Sequence, residues 1–221
     1  GDLIIDSGVT LECQGDTAAI NTASGGTEGD PHGAGAIINA ANITVEGTLS
    51  ANGMGFPQGQ GPEPGYTGHE SAGGAGHGGG GGDGVNSLGG STYGSVSQPT
   101  ALGSGGVVSY GTHAGGLGGG AIKLDVSNTL TINGTVSANG GSSTQYGAGG
   151  AGGSIWLVVD TLAGSGSIIA DGGSSNSATK SGGGGGGRIA VHFAVDTSSI
   201  SQTVSGGTGY DNGEPGTIVW E

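Results

Sequence analysis

Residues 81 to 88 have the composition and spacing of a calcium-binding turn. They read Gly-Gly-Asp-Gly-Val-Asn-Ser-Leu and match the pattern Gly-Gly-x-Gly-x-Asp-x-apolar, except that Asn86 stands where the pattern has aspartate. Calcium prefers carboxylate and carbonyl oxygens, so Asp83 and Asn86 are candidate ligands and calcium is the candidate cofactor. The pattern normally recurs in tandem, whereas this chain has one copy, so a plain loop is the alternative.

Other catalytic and ligand-binding patterns are not matched. The glycine run 182–187 continues with Arg188, whereas a phosphate-binding loop continues with Lys and then Ser or Thr. No pair of carboxylates stands out for glycoside hydrolysis. The sequence therefore predicts a protein that is not an enzyme, with a polysaccharide-degrading β-helix enzyme as the remote alternative. No histidine or cysteine spacing fits a zinc site, including that of His69, His77 and His113.

The charge of the chain limits its partners. Seventeen acidic and three basic side chains give a net charge of −14, so there is no basic surface for nucleic acid. A lyase acting on acidic sugars would also need more cations than Lys123, Lys180 and Arg188. No apolar run approaches the length of a membrane-spanning segment. We therefore expect neither a nucleic-acid partner nor a membrane span.

Aromatic side chains are the candidates for contact with sugars, because a ring offers a flat apolar face. Tyr93 and Trp156 are the first candidates for glycan contact, and Tyr66, Tyr110 and Tyr146 are the others. Aromatic residues make up only 4% of the chain, and packing in the core or in loops is their alternative role.

A repeated unit positions these side chains, and residues 118–140 show it best. After three glycines, Ile122, Leu124 and Val126 alternate with polar residues, which is the two-residue period of a half-buried strand. A second short strand and an Ala-Asn-Gly turn follow. The unit recurs after the glycines at 35, 120, 153 and 187, and its first half recurs after 216. Of these five glycines, the last four are separated by 33, 34 and 29 residues, a spacing typical of units that stack into solenoids.

Stacking these units brings their apolar positions into columns. A single unit cannot bury its own apolar side, whereas stacked units bury a continuous core. The sequence therefore predicts an all-β fold, a parallel β-helix or β-solenoid forming one domain over residues 1–221. A sandwich of short antiparallel strands is the alternative. One predicted column holds Ile37, Ile122, Ile155, Ile189 and Ile218, and the next holds Leu124, Leu157, Val191 and Trp220.

Residues 54–117 interrupt the repeats as a long glycine- and proline-rich insertion. They contain four of the six prolines and a run of five glycines. Such a segment is usually functional or loosely ordered. Polyglycine also packs as extended, left-handed helices of the polyproline-II type. On that interpretation, residues 147–153 and 182–187 lie beside the insertion in a glycine-lined layer next to the β core.

Four segments carry a family resemblance: Gly-Gly-Gly-Ala-Ile-Lys-Leu, Thr-Val-Ser-Ala-Asn-Gly-Gly, Gly-Gly-Ser-Ile-Trp-Leu and Gly-Gly-Gly-Gly-Arg-Ile-Ala. They resemble the glycine-rich parallel β-helix repeats of large secreted microbial surface proteins, including adhesin-like ones. The resemblance covers most of residues 35–220 outside the insertion. It implies an extracellular location and a cell-surface, matrix or adhesive role, and it brings no catalytic residues.

Both ends of the predicted stack lack a polar cap, which solenoids normally need. Unpaired edge strands with apolar side chains are templates for association. We therefore expect a structural subunit of an extracellular filament or surface assembly, in which copies stack head to tail. A carbohydrate-binding adhesin module, with glycans or a cell surface as partner, is the alternative. The expected interface comprises Leu3, Ile4 and Ile5 of one copy against Thr217, Ile218, Val219 and Trp220 of the next.

Overall fold

The computed structural model describes residues 1–19, 32–68, 70–109 and 111–221 of the chain. Within these ranges the regular structure consists of β-strands, and there is no helix. Accordingly, no helix in the described part of the chain is long and apolar enough to cross a membrane. The strands are β1 (Asp2–Ile5), β2 (Thr10–Glu12), β3 (Ala36–Ala40), β4 (Asn42–Val45), β5 (Thr48–Ser50), β6 (Ala121–Ile132), β7 (Thr135–Ser137), β8 (Ser154–Ala163), β9 (Ser167–Ile169), β10 (Arg188–Asp196), β11 (Ser201–Thr203) and β12 (Thr217–Trp220).

The strands form two sheets. Sheet A has the order β1-β4-β6-β8-β10-β12, with β3 also pairing with β6, and sheet B has the order β11-β9-β7-β5-β2. Every pair is parallel. The prediction of an all-β chain with parallel strands is confirmed. The antiparallel sandwich is excluded for these strands.

The register of sheet A confirms most of the predicted columns. Ile122, Ile155, Ile189 and Ile218 are successive partners, and the column from Leu124 to Trp220 is also as predicted.

The prediction that Ile37 lies in the column of Ile122 was wrong. Ala36 lies beside Ile122, and Ile37 lies beside Lys123 on the outer face, where it is 65% exposed. Two isoleucines are adjacent here, so alternation alone does not decide which of them faces inward. Ile38 takes the inward place, beside Leu124, and the one-residue shift turns every side chain of β3 to the other face.

The core lies between the two sheets. Sheet B contributes Leu49, Val136 and Ile168, which are fully buried and cluster with the inward columns of sheet A. Cys13 is a buried free thiol in the same cluster.

The glycine-rich segments form an ordered layer with a three-residue period. Along residues 148–153, successive N–H groups donate to three neighbouring segments in turn, and each neighbour recurs after three residues. Those neighbours are residues 104–107, 182–185 and 138–141. Three residues per turn is the period of a polyproline-II helix. Residues 182–187 repeat the arrangement, with residues 72–75, 211–214 and 170–173 as neighbours.

The insertion belongs to this layer. Its residues 72–82 and 103–107 are hydrogen-bonded to glycines of the repeats, so the ordered interpretation holds for its described part and the loosely ordered one does not. Glycine is required where neighbouring backbone segments approach too closely for a side chain. A Cβ on Gly149, for example, would lie 1.9 Å from the carbonyl oxygen of Gly173.

Candidate functional site

The predicted assembly surfaces lie on the two outer strands of sheet A, β1 and β12. At one edge, β1 pairs with Asn42–Val45, while β3 has no partner on that side among the described strands. At the other edge, β12 pairs with Arg188–Val191, and the second half of β10 has no described strand on that side. Backbone groups of an unpaired strand edge are available to another strand.

Core columns are open at both edges. Ile218 follows Ile189 in its column, yet it is 42% exposed whereas Ile189 is fully buried. At the opposite edge, Ala36 and Ile38 are half-buried although their column neighbours in β6 are buried. No described strand pairs with the outer side of β3 or β12, and these apolar side chains reach solvent there.

A carboxylate lies at the open edge beside β12. The indole nitrogen of Trp220 donates to Asp196 Oδ2 over 3.0 Å, and the backbone N–H of Ser198 donates to Asp196 Oδ1 over 2.8 Å. Desolvation is the largest single effect on Asp196 and raises its pKa, but the hydrogen bonds with Ser198 and Trp220 together outweigh it, so the pKa of Asp196 is lowered. A charged side chain on an unpaired strand edge discourages the pairing of another strand there.

The register changes the expected interface. Leu3 belongs to the column of Ile43, Leu130 and Leu162, which ends at Asp196. Trp220 belongs to the column that begins at Ile38. The strands β1 and β12 therefore lie at different positions along the strand direction, and direct pairing of Leu3–Ile5 with Thr217–Trp220 would put core columns out of line.

The candidate calcium ligands line a surface depression of about 470 Å³. Asp83 and Asn86 lie there with the exposed side chains of Tyr66 and Leu88. Asp83 Oδ1 accepts a hydrogen bond from the N–H of Gly89 over 2.8 Å. No group of three or more His, Cys, Asp or Glu residues in the described ranges is placed to hold a metal, and the calcium site stays a prediction.

Tyr93 is half-buried and packs against other rings. Its hydroxyl donates to the carbonyl of Leu102, and its ring packs against His32 and His77 with centroids 5.4 and 4.8 Å apart. Burial raises its pKa. Packing therefore accounts for the position of this ring, and the choice of Tyr93 as a glycan contact stays a prediction.

Trp156 is also half-buried, and its choice as a glycan contact stays a prediction. The ammonium of Lys123 lies 4.0 Å from the ring centroid, and the indole nitrogen is buried without a hydrogen-bond partner. In the described part of the chain the exposed tyrosine rings are Tyr66, Tyr210 and Tyr146, at 63%, 49% and 42%. Tyr110 and His69 lie outside the described residues.

Sequence reasoning missed a buried polar cluster around Arg188, which is 4% exposed. Its guanidinium donates to the carbonyl of Tyr93 from Nε and Nη2, over 3.0 and 2.8 Å, and to Thr217 Oγ1 over 3.0 Å. Within the described ranges no carboxylate lies within 4.0 Å of it. Arg188 thus ties the insertion to β10 and β12. The partners are 95 and 29 residues away in sequence, and no local pattern indicates them.

His77 completes the cluster. It is fully buried, its Nδ1 donates to the carbonyl of Gly152 over 2.8 Å, and its Nε2 has no partner. Burial lowers the pKa of His77 to about 3, and the nearby positive charge of Arg188 adds to this. Because this imidazole is neutral and has no access to solvent, its role is to pack against the glycine backbone.

Comparison with known proteins finds no matching family model, no similar curated protein and no similar solved structure.

Proposed function

We propose that this protein is a non-catalytic structural subunit that stacks head to tail with copies of itself in an extracellular filament or surface assembly. In this proposal the two sheets are walls of a β-solenoid of the glycine-rich type found in secreted microbial surface proteins. Successive strands of each sheet come from successive repeats, as stacked repeats require. The observation that supports assembly is the pair of open edges of sheet A, where apolar core columns reach solvent.

The parallel pairing gives the assembly its direction. A second copy in the same orientation can continue both sheets, because β1 and β2 lie at one edge and β11 and β12 at the other. A contact between two different surfaces of the same molecule does not close on itself unless its rotation forms a ring, and otherwise it produces filaments.

Charge sets the conditions for assembly. Each copy carries a net charge of −14, so copies repel one another at low ionic strength. Salt shortens the range of this repulsion to about 10 Å at 0.1 M. We expect the sedimentation coefficient of the protein to increase with both salt and protein concentration. A single monomeric boundary at every salt and protein concentration would contradict the proposal.

A second candidate function is glycan binding in the depression beside Asp83. The observation that favours it is the 63% exposed ring of Tyr66 together with the polar side chains of Asp83 and Asn86. This arrangement offers a flat apolar face with hydrogen-bonding groups around it. On a glycan array we expect binding that Tyr66→Ala abolishes and Tyr66→Phe keeps, because stacking needs the ring. Equal binding by the wild type and Tyr66→Ala would exclude this site.

A further inference from the structure

We propose that the depression lined by residues 66–67 and 83–88 binds a sugar that carries a protonated amino group, with Asp83 as the partner of the amine. This selectivity rests on the glycan-binding candidate described above and specifies which class of sugar the site takes. The ligand is an amino sugar with free amines, such as a glucosamine oligomer, rather than a neutral or an acidic sugar.

Apolar side chains form an exposed wall in the depression. Tyr66 and Leu88 are 63% and 64% exposed, and Val85 is 43% exposed. The flat ring of Tyr66 and the two aliphatic side chains suit the C–H face of a sugar ring. An aromatic face also attracts a nearby cation through its negative π-electron density, so this wall favours an ammonium group over a carboxylate.

Asp83 supplies a carboxylate oxygen to the same depression. Its side chain is exposed, and its Oδ1 accepts a hydrogen bond from the N–H of Gly89 over 2.8 Å. Among the described residues, no hydrogen bond or ion pair engages the second oxygen, Oδ2. That oxygen is therefore available to a donor on a ligand.

The charges around Asp83 leave its carboxylate uncompensated. Within the described ranges no cationic nitrogen lies within 4.0 Å of it. Lys180, whose carbonyl accepts from the N–H of Val85 over 3.0 Å, has its ammonium 3.0 Å from Glu70 Oε2. Asp211 adds an exposed acidic residue, and its N–H donates to the carbonyl of Asp83 over 3.3 Å. On a chain with a net charge of −14, the depression attracts cations and repels acidic sugars.

Hydrogen bonds hold the two sides of the depression together. The N–H of Tyr66 donates to the carbonyl of Leu88 over 2.9 Å. The buried hydroxyls of Ser71 and Ser87 lie 3.2 Å apart, and that of Ser71 accepts from the N–H of Asn86 over 3.2 Å. The lining is thus in place before a ligand binds, which reduces the entropic cost of binding.

Thr67 and Asn86 add neutral polar groups for the hydroxyls of a sugar. Both residues are exposed and line the depression, and their side chains have no hydrogen-bond partner among the described residues. A hydroxyl and an amide each donate and accept, so they suit the hydroxyls of any sugar. Selection of an amino sugar therefore depends on Asp83.

Titration calorimetry with three matched oligosaccharides tests this selection. Oligomers of glucosamine, N-acetylglucosamine and glucose with the same linkage differ only in the group on the second carbon of each ring, which is an amine, an acetamide or a hydroxyl. The titrations are made at a pH that protonates the amine, with a calcium chelator present. We expect the glucosamine oligomer to bind about fivefold more tightly than the other two, the upper range for an exposed ion pair. Added salt should diminish this preference.

Asp83→Asn is the test variant, and Asp160→Asn is its matched control. The new amide at position 83 can still accept from the N–H of Gly89 but carries no charge. Asp160 is an exposed residue of β8 and does not line the depression, so its substitution changes the net charge equally. We expect Asp83→Asn to bind the three oligosaccharides equally and Asp160→Asn to keep the preference of the wild type.

The outcomes separate the selection from glycan binding itself. Equal binding of the three oligosaccharides by the wild type, or a preference that Asp83→Asn retains, would overturn the selection and leave glycan binding standing. Binding that requires added calcium, or an oligolysine peptide that binds as tightly as the glucosamine oligomer, would also overturn it, because the contact would then depend on the metal or on charge alone. A wild type that binds none of the three oligosaccharides would overturn both the selection and the glycan site.

Discussion

At the scale of the residue, Arg188 and His77 form a buried polar link between the insertion and sheet A. Arg188 is a desolvated cation whose partners are neutral oxygens, and burial lowers its pKa. Burying such a charge is costly unless its hydrogen bonds are satisfied. Its hydrogen bonds to backbone carbonyls therefore favour the backbone arrangement that keeps those carbonyls in place. His77 packs beside it and stays neutral because any proton it took up would add a second buried charge.

The stability of the fold depends on pH through His77. In the unfolded chain this histidine takes up a proton near its ordinary pKa of 6.5, whereas in the folded protein it does so only near 3. Between these values the unfolded state binds more protons at His77, so the contribution of His77 to stability is fully present above pH 6.5 and is lost as the pH is lowered towards 3. The slope attributable to one proton is at most about 1.4 kcal/mol per pH unit.

Denaturant unfolding of the wild type and His77→Asn across this pH range measures that contribution. Asparagine can still donate to the carbonyl of Gly152 but does not titrate. We expect a shallower pH dependence in His77→Asn, whatever its absolute stability. Parallel curves for the two proteins would contradict the role assigned to His77.

At the scale of the element, the glycine layer depends on backbone segments that approach too closely for side chains. Residues 148–153 and 182–187 each bond to three neighbouring segments. The layer therefore requires glycine where a carbonyl faces the Cα and tolerates alanine where space remains, as at Ala148 and Ala151, which are fully buried.

Alanine substitution at two glycines separates these cases. The Cβ of Gly149→Ala would lie 1.9 Å from a backbone oxygen, whereas that of Gly80→Ala has as its nearest neighbour the flexible carboxylate of Glu214 at 3.0 Å. We expect Gly149→Ala to lower the free energy of unfolding by at least ~2 kcal/mol, as overpacking does. Gly80→Ala should stay within about 1 kcal/mol of the wild type. Equal stability of the two variants would contradict the close packing of the layer.

The elements also show where sequence reasoning succeeds and where it ends. The column from Ile122 to Ile218 was predictable because strict alternation fixes which side chains face the core. The adjacent residues Ile37 and Ile38 give two equivalent alternations, and tertiary packing chose between them. Glycine segments have no side-chain pattern, so sequence suggested a layer but not its hydrogen-bond partners. The contact of Arg188 with Tyr93 joins residues 95 apart and is set by the folded chain alone.

At the scale of the whole molecule, the open edges of sheet A account for the proposed assembly. Apolar columns that are buried within sheet A reach solvent at Ile218 and Ile38, and the proposal makes a second copy the partner that covers them. The candidate glycan site near Tyr66 lies on the insertion and contains no residue of the edge strands, so binding and assembly can be tested independently.

Negative-stain electron microscopy of the wild type, Ile218→Lys and Val96→Lys at high salt tests the assembly most directly. Ile218 and Val96 are 42% and 45% exposed, but only Ile218 lies on an edge strand. We expect filaments from the wild type and Val96→Lys. We expect single particles from Ile218→Lys, because a lysine at position 218 would be buried between two stacked copies. Single particles from the wild type, or filaments from all three proteins, would contradict stacking through the edges of sheet A.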